Sequence, residues 1–195
     1  MAFNKQGCKQ ERRPKKPLGP ARLQELALSY VARYATSSAK LARYLRRKIG
    51  ERGWEDDAPP PDIDGLVQRY IELGYIDDTG FARAKSGTLL RRGYGKRRVS
   101  QALGQDGIGE EIREEVSASH AELRHAALAL ARRRRFGPFG QVAPERDVRE
   151  KQFAAMMRAG HDLDSAREMV NAASEKEALE WAHELDDEET PDEGW

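Results

Sequence analysis

The chain has a single cysteine, few aromatic residues and no long apolar run. Cys8 cannot form an internal disulfide, and one thiol with four scattered histidines gives no zinc-binding spacing. Aromatic residues make up 7% and hydrophobic residues 38% of the 195 positions, against 34% charged residues. The longest apolar stretch, Ala126 to Ala131, has about six residues, far below the roughly 20 that cross a bilayer. These shortages exclude a disulfide-stapled fold and a transmembrane helix.

The net charge is +1, but charges of opposite sign collect towards the two ends. Residues 1–20 carry six basic residues against Glu11, and prolines follow without the apolar segment of a secretory signal, so we expect a cytoplasmic protein. Residues 175–195 carry ten acidic residues against Lys176, which leaves the middle of the chain at +5. A basic body between charged tails favours a polyanionic partner, or a partner that is itself bound to one. Two solvated tails that aid solubility are the alternative.

Apolar residues recur at intervals of three and four in about nine segments, which predicts amphipathic helices. The first helix runs from Arg22 to Tyr34. Capping residues mark the starts of others at Thr36 to Ser38, Asp62, Asp77 to Thr79 and Asp162. No segment favours a strand.

The helices follow a repeated order of a long helix, a breaker, a middle helix, a glycine and a third helix. The middle helices end at Gly53, Gly107 and Gly160, which are 54 and 53 residues apart. This period predicts an all-α fold, an elongated array of three tandem three-helix repeats. We assign residues 21–76, 77–118 and 119–174 to the three repeats, residues 1–20 to a disordered basic N-terminal segment and residues 175–195 to an acidic C-terminal tail. The tail is too acidic and, after Leu185, too poor in apolar residues to pack.

Basic residues recur in all three repeats. In the middle helix of the first repeat, helical spacing puts Lys40, Arg43 and Arg47 on one face, with Arg46 nearby. Lysine and arginine ridges of this kind offer donors to phosphate oxygens, whereas simple solvation of the outer helix faces is the alternative. The candidate binding residues are Lys40, Arg43, Arg46, Arg47, Lys96, Arg97, Arg98, Arg132, Arg133, Arg134 and Arg135.

No motif predicts catalysis. The segment from Gly93 to Lys96 lacks the spacing of a phosphate-binding loop and follows no strand, so we interpret it as a helix breaker. The aspartate pairs at positions 56–57 and 77–78 have no second set of ligands, which favours helix capping over metal binding or acid–base chemistry. His120 and His125 have no carboxylate or nucleophile in motif spacing. We therefore expect no enzyme activity, no cofactor and no metal site.

Three short motifs resemble those of the RecX family. They are Tyr34-Ala35-Thr36-Ser37, Gly74-Tyr75-Ile76-Asp77-Asp78 with Phe81 and Ala82, and Arg92-Gly93-Tyr94-Gly95. The similarity covers roughly Leu23 to Ala173, and its most specific part is the second motif. The chain departs from the family at Lys40, where an acidic residue is common, and at His161, where an aromatic residue is usual.

The resemblance implies three tandem three-helix repeats, in agreement with the periodicity. It also implies a non-enzymatic regulator, active in DNA repair, recombination and the SOS response, that lies in the groove of the RecA recombinase filament. Such a protein restrains filament assembly, ATP hydrolysis, strand exchange and co-protease activity. The expected partners are the RecA filament with single-stranded and duplex DNA, bound by a monomer with no membrane partner. A stand-alone DNA-binding protein of helix-turn-helix type is the alternative, although Lys and Arg contact phosphates rather than read bases.

Overall fold

The computed structural model describes residues 16–142 and 144–186, which contain ten α-helices and no strand. None of these helices has the length and apolar character needed to cross a membrane. The predicted all-α fold is confirmed, with one helix more than expected. The helices are α1 (Pro20–Val31), α2 (Ser38–Arg52), α3 (Ile63–Glu72), α4 (Asp78–Arg91), α5 (Lys96–Gln105), α6 (Glu110–Glu115), α7 (His120–Arg134), α8 (Arg146–Arg158), α9 (Leu163–Asn171) and α10 (Glu175–His183).

Buried apolar residues form three separate clusters, one for each repeat. Leu41 and Leu45, both 0% exposed, lie in the cluster of α1 to α3. Leu103 lies in the cluster of α4 to α6, to which Ala126 of α7 also belongs, and Met156 lies in that of α7 to α10. Because each cluster collects residues that are close in sequence, the repeats pack as a tandem array rather than around one shared core.

Side-chain caps begin several helices where the sequence predicts them. Ser37, Asp62, Asp77 and Asp162 each accept a hydrogen bond from a backbone N–H three residues further on, at 2.7 to 3.3 Å. Helix α5 lacks such a cap, because glycine precedes it at position 95. Its first N–H groups therefore need other acceptors.

The last turn of α8 supplies those acceptors. The backbone N–H of Gly95 donates to Ala159 O at 3.0 Å, and the N–H of Arg97 donates to Gly160 O at 3.2 Å. A Cβ atom on Gly95 would lie 2.4 Å from Gly160 O. Gly160 itself has a φ of +95°, and its Cβ would lie 2.4 Å from Arg98 N. Glycine at both positions thus lets α8 and α5 meet end to end.

A joint of the same kind connects α5 to α2. The Ser37 hydroxyl caps α2 and also donates to Asp106 O at 2.7 Å, so one buried group serves the start of one helix and the end of another. The N–H of Ser38 donates to Asp78 Oδ1 at 2.8 Å. A Cβ on Gly107 would lie 2.3 Å from an α2 side chain. Two of the three periodic glycines therefore mark joints between repeats.

The third periodic glycine, Gly53, lies at the free end of α2 and is covered by the leading segment of the chain. The N–H of Leu18 donates to Gly53 O at 3.0 Å, and Leu18 O accepts from the N–H of Glu55 at 3.0 Å. Leu18 is 0% exposed and belongs to the first core. The prediction of disorder is therefore wrong for residues 16–20, because backbone pairing and burial hold Leu18 and Pro20 begins α1. Residues 1–15 lie outside the described residues.

Helix α10 lies in the segment interpreted as an acidic tail. Ala178 and Ala182 are buried four residues apart, and Leu179 and Trp181 pack on the third core. Small alanines produce a weak apolar signal among acidic residues, so the sequence analysis missed this helix. The rest of the predicted tail, from residue 187, lies outside the described residues.

The Gly74 to Asp78 motif builds the turn between the first two repeats. Gly74 follows α3 with a φ of +73°, and Ile76 is 3% exposed in the first core. Asp77 caps α4, and Asp78 accepts from Ser38 of the first repeat. Both aspartates are thus used by the fold, as the capping interpretation predicts.

We expect Ser37→Ala to lower the free energy of unfolding by about 2 to 3 kcal/mol, because it removes the α2 cap and leaves the Asp106 carbonyl without its donor. Urea denaturation measures this change. Ser29→Ala, at an exposed position on α1, is the matched control and should change stability by less than about 0.5 kcal/mol. Equal effects of the two substitutions would contradict the bridging role of Ser37.

A second prediction concerns His161, which is 4% exposed and whose Nε2 lies 3.0 Å from Gly93 O. Burial lowers the pKa of His161 below its ordinary value of 6.5, because a charged imidazole there would lose its hydration. The stability contributed by neutral His161 is therefore fully present above about pH 6.5, the ordinary pKa that applies in the unfolded chain. It is lost as the pH falls towards the lower pKa of the folded chain.

Thermal unfolding between pH 7.5 and 5.5 tests this. We expect a steeper loss of stability on acidification in the unsubstituted chain than in His161→Phe, which cannot titrate at this position. The control is His120→Phe, an exposed position whose pH profile should match that of the unsubstituted chain. Parallel profiles for His161→Phe and the unsubstituted chain would show that this histidine does not set the pH dependence.

Candidate binding surface

The outer face of α2 carries exposed basic side chains. Arg43 and Arg47 lie opposite the buried Leu41 and Leu45. Arg43 makes no ion pair within the described ranges, and the Nε of Arg47 lies 3.5 Å from Glu51 Oε1. Exposed pairs of this kind contribute little in water. Both guanidinium groups are therefore available to an anionic partner.

Two other predicted residues of α2 contact neighbouring elements. Arg46 Nη2 lies 2.6 Å from Asp64 Oδ1 on α3, in an exposed pair that, like that of Arg47, contributes little in water. Lys40 Nζ lies 3.6 Å from Asp106 Oδ2 and 5.2 Å from the centre of the Phe81 ring. The structure thus places Lys40 in the joint between the first two repeats, where its charge lies near Asp106.

A row of tyrosines borders Arg47. The rings of Tyr30 and Tyr44 stack with centres 4.3 Å apart, and Tyr34 lies 5.4 Å from Tyr30 and is 58% exposed. The charged groups of Arg47 and Lys48 each lie 5.7 Å from the centre of the Tyr44 ring. Periodicity along one helix does not show contacts between α1 and α2, so the sequence does not predict this row. Aromatic rings beside cations offer stacking and charge to single-stranded nucleic acid.

The three basic residues at the start of α5 have different environments, some at the surface and one in the joint with α8. Lys96 is exposed and makes no ion pair in the described part of the chain. Arg97 Nη2 donates to Met157 O at 2.5 Å and so strengthens the contact between α5 and α8. Arg98 Nη1 donates to Gln101 Oε1 at 2.9 Å. Lys96 is therefore the residue of this group whose charge can be changed without breaking a contact.

The run from Arg132 to Arg135 is exposed at the end of α7. The Arg132 guanidinium lies 5.7 Å from the centre of the Phe139 ring. Arg135 ends the helix in the left-handed region, with a φ of 56°. None of the four makes an ion pair with the residues that the structure describes, so four positive charges lie together on the third repeat.

The basic side chains are distributed along the array rather than gathered in one pocket. The face of α2 starts at the joint with the end of α5, and Lys96 lies at the opposite end of α5, ten residues or about 15 Å along that helix. The arginine run of α7 belongs to the next repeat. This spacing suits an extended anionic partner better than a small substrate.

Comparison with known proteins gives consistent matches. The family model for the second three-helix domain of RecX matches residues 77–116, which include α4 to α6. The regulatory protein RecX of Myxococcus xanthus is 30% identical over 185 residues, covering 84% of this chain and 93% of that protein. The regulatory protein RecX of Deinococcus radiodurans is 32% identical over 152 residues, covering 77% and 69%.

Two solved structures share the fold. The crystal structure of RecX from Lactobacillus salivarius superposes with a TM-score of 0.60 at 17% identity, covering 77% of this chain and 93% of that one. A crystal structure of regulatory protein RecX has a TM-score of 0.58 at 22% identity, covering 77% and 72%. The motifs, the three-repeat fold and the match along most of a curated relative agree: this chain belongs to the RecX family of regulatory proteins.

Proposed function

We propose that this chain binds the RecA recombinase filament on DNA and restrains its assembly, ATP hydrolysis, strand exchange and co-protease activity, without catalysis of its own. The observation that carries the proposal is the outer face of α2, where Arg43 and Arg47 are exposed beside stacked tyrosines. Lys96 and the arginines at the end of α7 extend the positive charge along the array. A partner with negative charge along its length can contact all three repeats together.

The charged groups involved indicate binding that is independent of DNA sequence. Guanidinium and ammonium groups donate to phosphate oxygens, and a tyrosine face stacks on any base. Each phosphate contact releases counterions, so the interaction should weaken as salt is raised. A filament regulator needs this behaviour, because the filament coats DNA of any sequence.

A stand-alone helix-turn-helix protein is less well supported. A recognition helix inserts its N-terminal turn into the major groove. The first turn of α5 contacts the end of α8, and the first turn of α2 is held by Ser37 and Asp78. Two of the three middle helices therefore have their N-terminal turns occupied by neighbouring repeats.

We expect Arg43→Glu/Arg47→Glu to raise the concentration needed for half-inhibition of RecA ATP hydrolysis by about tenfold or more, because two phosphate-facing charges become repulsive. The assay uses preformed filaments on single-stranded DNA. The plot of log affinity against log salt concentration has a negative slope, and the magnitude of this slope should decrease by about one to two. Leu41 and Leu45 stay untouched, so circular dichroism should show an unchanged fold.

The matched control is Arg22→Glu/Arg83→Glu, which makes the same change of net charge at exposed positions on α1 and α4. It should inhibit at the concentration of the unsubstituted chain. Equal loss in both double variants would indicate an effect of net charge alone. Full inhibition by a folded Arg43→Glu/Arg47→Glu variant would show that the α2 face is only solvated.

Lys96→Glu and Arg97→Glu should behave differently although they are neighbours. We expect Lys96→Glu to weaken inhibition with an unchanged melting temperature, because this side chain makes no ion pair within the described residues. Arg97→Glu should also lower the melting temperature, because it removes the donor to Met157 O. Inhibition curves and thermal scans of both variants separate binding from folding. If Lys96→Glu inhibits RecA ATP hydrolysis as well as the unsubstituted chain does, the interface lies on the other repeats.

A further inference from the structure

One histidine of α7 lies beside a histidine and an aspartate at the end of α10, about 60 residues further along the chain. His125 Nε2 lies 2.7 Å from Asp186 Oδ1, and His183 Nδ1 lies 2.8 Å from Asp186 Oδ2. The two imidazole rings are 4.8 Å apart in an edge-to-face arrangement. The two nitrogen atoms and the carboxylate oxygen all lie within 4.8 Å of one another.

Packing on both sides fixes the position of this cluster. Ala182, beside His183, is 0% exposed in the third core, so α10 lies directly on α7. Arg124, beside His125, donates from Nη1 to Trp181 O at 2.8 Å and to Glu184 Oε2 at 2.6 Å. The guanidinium also lies 4.6 Å from the centre of the Trp181 ring. The backbone positions of the two histidines are thus set by contacts outside the cluster, and the N–H of Asp186 donates to His183 O at 3.1 Å.

The donor set is the one that borderline divalent metals prefer. Neutral imidazole nitrogens and a carboxylate bind Zn²⁺ at about 2.0 to 2.2 Å, which separates neighbouring ligand atoms in a tetrahedral site by about 3.4 Å. Each histidine nitrogen contacts a different oxygen of Asp186, at 2.7 and 2.8 Å, and the ligand atoms lie within 4.8 Å of one another. A tetrahedral site therefore needs the short separations to open by less than about 1 Å and the longest to close by about 1.4 Å or less. Side chains that are 38 to 54% exposed can make this change by rotation.

We propose that His125, His183 and Asp186 bind one divalent transition-metal ion, with Zn²⁺ as the best fit and solvent completing its coordination. The ion joins α7 to the residues that follow α10, so its binding stabilises the docked position of α10 on the third repeat. This proposal differs from the sequence-based expectation of no metal site. That expectation relied on ligand spacing along the chain, and the fold brings residues 125 and 183 together.

Calorimetric titration with ZnCl₂ at pH 7.5 tests the proposal. The protein is the full chain without an affinity tag, treated with a chelator and carrying Cys8→Ser so that its one thiol cannot bind the metal. We expect one ion per chain, an affinity at least about tenfold lower in His183→Asn, and no competition by Mg²⁺, which prefers oxygen ligands. The control, His120→Asn, removes an exposed histidine at the start of α7 and should bind like the parent.

Nuclear magnetic resonance of the parent chain provides a test that depends on no ligand substitution. Zn²⁺ should shift the ring signals of His125 and His183, leave those of His120 and the buried His161 in place, and slow amide exchange in α10. The proposal is overturned if Zn²⁺ does not bind saturably, if His183→Asn binds it as tightly as the parent, or if other histidine signals move instead. The cluster would then be a hydrogen-bonded histidine–carboxylate contact.

Discussion

The end-to-end contacts between middle helices organise the whole array. In each contact the final carbonyls of one helix lie against the first turn of another, as between Ala159 and Gly95 or between Asp106 and Ser37. Helix ends carry unsatisfied polar groups and opposite partial charges, so a head-to-tail arrangement satisfies both ends together. The repeats can therefore be small, because each one stabilises the helix ends of its neighbour.

This constraint also explains which residues are free to bind a partner. Lys40 and Arg97 lie at the two joints and are held there by Asp106 and by a backbone carbonyl. Arg43 and Lys96 lie beside those joints and remain exposed. The candidate surface thus consists of the basic residues that take no part in the joints. The distance between its basic groups on neighbouring repeats follows the length of a middle helix.

The sequence predicted features that depend on local chemistry. Capping by Asp62 and Asp162, the helical periodicity and the regular glycines follow from short-range rules, and the structure has them where they were predicted. Features that depend on contacts between distant segments were not predictable in this way. Helix α10 is recognisable by its burial on α7, and Leu18 by its pairing with Gly53. The row of tyrosines likewise depends on how α1 lies against α2.

The pairing of Leu18 with Gly53 occupies, at the end of α2, the kind of acceptor that joins α8 to α5. Gly160 O accepts from the N–H of Arg97 of the neighbouring repeat, whereas Gly53 O accepts from the leading segment of its own repeat. The N–H of Leu18 already occupies that acceptor, and its side chain fills the first core. A short stretch of chain ahead of the first helix thus takes the place of a neighbouring repeat at this helix end, with two backbone hydrogen bonds and a buried leucine.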